Sequence, residues 1–124
     1  MVTDLDALLE AHTPAVRDVF LALRSLVADV MPDATEQLDL PDHLLAFGFG
    51  PPGGVRLRDL AVALIPHGAH VNVQLADGAL LDSTSGIVEG TGKRIRHVKC
   101  RSLEDVSRPA LRVLLAEQAA RRRA

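Results

Sequence analysis

Tryptophan and tyrosine are absent from this chain of 124 residues, and its only aromatic side chains besides histidine are Phe20, Phe47 and Phe49. Proteins that hold single-stranded nucleic acid stack bases on aromatic platforms. With three phenylalanines and a sequence pI near 6.2, nucleic acid is not an expected partner. Cysteine occurs once, at Cys100, which excludes an internal disulfide and agrees with a reducing compartment. No apolar run approaches the roughly eighteen residues that a membrane span needs, so a membrane partner is not expected either. The opening residues Met1-Val2-Thr3-Asp4 carry neither a basic region nor an apolar stretch. No export signal is visible there, and the cytoplasm is the expected location. Lysine is scarce as well, two residues against twelve arginines, a bias that genome composition explains better than phosphate recognition does.

What the chain does contain describes a folded globule. Hydrophobic residues make up 48% and charged residues 24%, too apolar a mixture for disorder. A single domain over residues 1–124 is expected, long enough to bury about two thirds of its unfolded surface without staples. The net charge of −2 conceals an asymmetry: residues 1–62 sum to −6 and residues 63–124 to +4. Such a split produces two faces of opposite potential if the halves stay apart, and cancels if they interleave.

Periodicity assigns the elements. Asp4 can cap a short helix from Leu5 to His12, and Thr13-Pro14 then starts a longer one, with threonine as N-cap and proline at the first helical position. Val16, Val19, Phe20, Leu23, Leu26, Val27 and Val30 recur at intervals of three and four and form its apolar face. Pro32 sets its limit. Short apolar runs then predict strands near Glu36–Leu40, Leu44–Phe49, Leu57–Pro66, His70–Leu75 and Ile95–Cys100. Pro51-Pro52-Gly53-Gly54, His67-Gly68-Ala69 and Asp77-Gly78 are the turns between them. Val71, Val73 and Leu75 alternate with Asn72 and Gln74, so that strand has one buried and one wet face. Ser102 followed by Asp105 opens a short helical turn, and Pro109 restarts a helix through about Ala120, with Leu111, Leu114, Leu115 and Ala119 on its stripe. The expected fold is α+β: a two-layer sandwich of an antiparallel sheet of about five strands, with the terminal helices on one face.

The most distinctive chemistry lies between Asp82 and Arg101. A glycine-rich turn at Gly86, Gly90 and Gly92 runs into Lys93, Arg94, Arg96, Lys99 and Arg101, and cations just after such a turn make a surface that anions favour. The candidate ligand-binding residues are Glu89, Gly90, Thr91, Gly92, Lys93, Arg94, Arg96 and His97. Glu89 is expected to pair with Arg94 or Arg96 and hold a guanidinium in the planar fork that recognises carboxylate or phosphate. The competing interpretation is a hairpin leading into a solvated basic edge strand. A nucleotide P-loop is excluded: Ile87 stands where the phosphate cradle needs glycine, Arg94 stands where it needs serine or threonine, and a strand rather than a helix follows. Ser83, Thr84 and Ser85 are read as turn residues or extra anion donors, since no strand-turn-helix elbow surrounds them.

Two metal readings are open on the residues themselves. His67 and His70 flank one turn and His97 lies on another strand, so with an acid they can form a facial site; His12 and His43 complete the five histidines. Asp18, Asp29, Asp33 and Glu36 offer hard oxygen ligands in the acidic first half. Cys100 is expected to be a buried structural thiol, because its neighbours Lys99 and Arg101 point to the opposite face of a strand.

The run GIVEGTGKRIRHVKCRSLEDVSRPALRVLL, Gly86 to Leu115, resembles the C-terminal signature of the bacterial YdhG-like family of domains of unknown function. Some members of that family are described as frataxin-like intracellular iron chaperones. MPDATEQL, Met31 to Leu38, resembles the family's opening. Two positions depart from the pattern: Ser83 follows Asp82 where the family has proline, and Leu40-Pro41 stands where an aromatic-glycine pair is usual. The resemblance implies the same helix-sheet-helix plan. It also implies iron at acidic residues of the first helix and nearby strand, here Asp18, Asp29, Asp33 and Glu36.

The expectation on function is a small cytoplasmic binding or accessory domain, monomer or homodimer, without catalytic residues or resident cofactor. Its partner is a small anionic ligand or a protein that meets the Glu89–Arg101 surface. The alternatives are an iron-binding chaperone acting through the acidic half, and an enzyme of unidentified reaction.

Overall fold

The computed structural model describes residues 3–50 and 56–123, so the Pro51–Gly54 turn lies outside the described residues. Two helices open the chain, α1 (Asp4–Leu9) and α2 (Pro14–Val30). Thr3, rather than Asp4, caps α1: its hydroxyl accepts from the Asp6 amide while the Asp6 carboxylate accepts from the Thr3 amide, a reciprocal capping box. Thr13 caps α2 through the Val16 amide, with Pro14 in the first turn as its fixed φ favours. That cap also stops α1 short of His12, since the residues between the helices cannot be helical in both.

Among the described residues six strands follow, β1 (Thr35–Asp39), β2 (Leu44–Gly48), β3 (Leu60–Pro66), β4 (Val71–Leu75), β5 (Val88–Glu89) and β6 (Arg96–Cys100), all antiparallel in the order β1-β2-β3-β4-β6-β5. The sheet therefore has one strand more than the periodicity shows, because the two residues of β5 are too short to alternate. β3 begins at Leu60 instead of Leu57, the three residues before it forming a 3₁₀ turn. The chain closes with α3 (Leu103–Val106), capped by Ser102, and α4 (Pro109–Arg123).

Phe20, Leu23 and Val27 of α2 and Leu111, Leu115 and Ala119 of α4 share one core with Val62, Leu64, Val71, Val73, Leu75, Val98 and Cys100. Each large apolar side chain fully buried there contributes about 1.5–3 kcal/mol. The alternation read in β4 is the observed one, with Val71, Val73 and Leu75 buried and Asn72 and Gln74 half-exposed. Among the described residues, the other face carries a small cluster of Ala46, Leu60 and Ala63 with Leu44 and Ile65.

The charge asymmetry is resolved by interleaving. Arg112 pairs with Asp29 at 2.8 Å, and Arg123 grips both oxygens of Asp33 at 2.8 and 2.9 Å, so the basic last helix neutralises acids at the end of α2.

Candidate functional site

Of the glycine-rich stretch, Gly86 precedes β5 while Gly90 and Gly92 lie in the turn between β5 and β6, with Glu89 directly opposite His97. Gly90 has φ +113°, which side-chain-bearing residues rarely adopt, and a Cβ at Gly92 would collide with the Ile95 carbonyl oxygen. Gly90 and Gly92 are thus accounted for by the hairpin's own geometry. Within it Arg96 donates from Nε to the Gly92 carbonyl at 3.0 Å, while Thr91 and Lys93 are exposed. Arg94 turns elsewhere: its Nε donates to Asp77 Oδ1 at 2.7 Å. The expected pairing of Glu89 with Arg94 or Arg96 is not made, because Asp77 and the Gly92 carbonyl take those guanidinium donors.

Asp77 follows β4, and it is 1% exposed. Gln118 Oε1 accepts from the Asp77 amide at 2.7 Å, and Gln118 Nε2 donates to Asp77 Oδ2 at 2.8 Å. Arg122 donates to the same carboxylate through Nε at 2.8 Å and Nη2 at 3.1 Å, and reaches the Arg58 carbonyl through Nη1 at 2.8 Å. Arg121 stands at 3.9 Å. Burial acts to raise the Asp77 pKa, but the hydrogen bonds from Arg122, Gln118 and Arg94 outweigh it and hold the carboxyl well below the usual carboxylate range.

Beside this anchor is a cavity of about 360 Å³ lined by Arg58, Leu60, Ala76, Arg94, Ile95 and Arg122. Three arginines line it, and the Asp77 carboxylate beside it pairs with two of them, Arg94 and Arg122. The Arg58 guanidinium has no ion pair among the described residues, and Arg94 has only its Nε engaged. Of the predicted ligand-binding residues the structure brings Arg94 alone to this cavity. Arg58, Asp77, Gln118 and Arg122 were not read as site residues. The one local signal was a glutamine in the apolar stripe of α4, three residues after Leu115 and four before Arg122.

The four candidate iron ligands are not gathered. Arg24 binds Glu36 through two donors at 2.7 and 2.8 Å, Asp29 and Asp33 hold the arginines of α4, and Asp18 lines a separate cleft between α1 and α2 with Asp6 and Glu10. Among the described residues no three histidine, cysteine or acidic side chains are grouped to hold a metal ion. His67 stacks on His70 with ring centroids 4.7 Å apart, while His97 faces Gln74 across the β4–β6 ladder. Burial first, then the neighbouring His67, Lys99, Arg101 and His97, lower the His70 pKa. Cys100 is fully buried, as expected, and burial raises its thiol pKa.

Comparison with protein-family models, with curated proteins and with solved structures gives no match for this chain.

Proposed function

We propose that this chain is a small anion-binding accessory domain of YdhG-like type, without catalysis of its own, whose ligand sits between Arg58, Arg94 and Arg122. The observation that carries this reading is the imbalance at the cavity, three lining arginines against the single carboxylate of Asp77. Asp77 and Gln118 hold Arg122 in place, so that no side-chain freedom is lost there when an anion arrives. Arg58 and the outer nitrogens of Arg94 supply the donors, in the fork geometry that suits carboxylate and phosphate. Leu60, Ala76 and Ile95 give the cavity an apolar wall for the organic part of the ligand. An iron-handling role through the acidic half draws less support, since Asp29, Asp33 and Glu36 each already hold an arginine.

The test is thermal unfolding in phosphate, sulfate and small carboxylates against chloride at matched ionic strength. A ligand that binds only the native state raises the midpoint, by the equivalent of about 2.7 kcal/mol at a hundred times its dissociation constant. One or more of these anions should raise the midpoint of the native chain and leave Arg58→Gln unmoved, a variant that keeps every bond to Asp77. If no anion shifts the native protein, or if Arg58→Gln responds as fully, the cavity is not the site.

A further inference from the structure

A second group of side chains, at the opposite end of β3 from the arginine cavity, has the orientation of metal ligands. His12, between α1 and α2, and His43, in the β1–β2 turn, face each other with Nε2 to Nε2 at 2.7 Å. His12 Nδ1 lies 3.0 Å from the His67 backbone carbonyl, and a carbonyl only accepts, so Nδ1 carries the proton. In the neutral ring Nε2 is then the acceptor, and its lone pair points at His43 Nε2. A backbone carbonyl fixing one ring nitrogen so that the other presents its lone pair is the usual arrangement around a metal-bound histidine. His43 is placed at some cost. Its φ of +57° is the one positive value among the described non-glycine residues, and such backbone strain persists where the surroundings enforce it.

We propose that His12 and His43 bind one borderline divalent transition-metal ion of the zinc class through their Nε2 atoms. Imidazole suits such ions, whereas the carboxylates of the acidic half suit harder cations. In the state observed, the proton between the two nitrogens occupies the place of the ion. Metal bonds of 2.0–2.1 Å at a tetrahedral angle require the nitrogens to stand roughly 3.3 Å apart, so the rings must part by ~0.6 Å. His43 must also move its proton from Nε2 to Nδ1, which neutral imidazole does by exchange with water. Water completes the coordination. With two protein ligands the site is open and exchangeable, and acid opposes binding because protons compete for the same nitrogens.

Calorimetric titration of the tag-free chain with zinc at neutral pH, with imidazole resonances followed by NMR, tests this. One zinc per chain is expected, with shifts at His12 and His43. Affinity should fall at least tenfold in His12→Gln and in His43→Gly, the glycine being chosen because it accepts the left-handed backbone and keeps the turn folded. It should hold in His70→Gln and in Glu36→Gln. Unchanged affinity in His12→Gln and His43→Gly, loss confined to the His70 or Glu36 variants, or no saturation with zinc in large excess would each overturn the proposal.

Discussion

Asp77 and Gln118 are forty-one residues apart in sequence and bonded twice, amide to Oε1 at 2.7 Å and Oδ2 to Nε2 at 2.8 Å, with both residues at most 1% exposed. This pair ties the end of β4 to α4, and it gives the arginines of the last turn a fixed negative partner.

Replacing that carboxylate should therefore cost more than the surface ion pairs do. Asp77→Asn leaves Arg122 without its charge partner, with one amide oxygen and Arg58's carbonyl as its remaining acceptors, and sets an NH2 donor against the donors of Gln118 and the arginines, so a loss of about 3 kcal/mol is expected in urea unfolding. The pH dependence follows from the direction of the shift. The folded pKa lies below the unfolded value of about 3.9, so the contribution is complete at neutral pH and is lost as pH falls below about 4 towards the folded value. The stability difference between the native chain and Asp77→Asn should be flat from pH 5 to 7 and shrink below about pH 4. A difference that stays constant to low pH means that Asp77 is not held ionised by its partners.

Gly78 adjoins this anchor, and a Cβ there would stand 2.7 Å from Arg96 Cβ and 2.9 Å from the Arg96 backbone nitrogen. Backbone of an interior sheet strand cannot retreat as a flexible side chain can. Gly78→Ala should thus destabilise by about 1–3 kcal/mol, although alanine is ordinarily the more stabilising residue. Equal or greater stability of the alanine variant in urea would show that β6 yields at Arg96.

How far the sequence reaches is visible in particular residues. Thr13-Pro14 and the Val71-Val73-Leu75 alternation carry their structural meaning locally, through a cap and a pleat, and both are found where the pattern puts them. Val88-Glu89 is too short to show a period, and it becomes a strand only because β6 offers its edge. The bonds from Asp77 to Arg94 and Arg122 span 17 and 45 residues, so no window of sequence contains them. An aspartate before a glycine reads as a turn, and Arg121, Arg122 and Arg123 at the end of a helix suit the negative end of its dipole wherever the helix packs. Folding places two of those arginines beside Asp77, and the third on Asp33. His43 likewise gives no hint in sequence of the positive φ that turns its ring to His12.

Glu89 separates the two places where an anion can sit. The glycine-basic stretch as read in sequence needs this acid to hold a guanidinium. In the structure it stands exposed in β5, opposite His97, while Arg94 is bonded to Asp77 and Arg96 to the Gly92 carbonyl. An exposed carboxylate that fixes no other group contributes little, so Glu89→Gln should unfold within about 0.5 kcal/mol of the native chain. Its anion-induced rise in melting temperature should be as large as the native one, and Lys93→Ala should match it, because neither residue borders the cavity. Arg58→Gln should lose the rise. Parallel melts of the four proteins with and without phosphate and the small carboxylates decide the matter. A response lost in Glu89→Gln or Lys93→Ala and kept in Arg58→Gln would move the anion to the hairpin and away from Asp77.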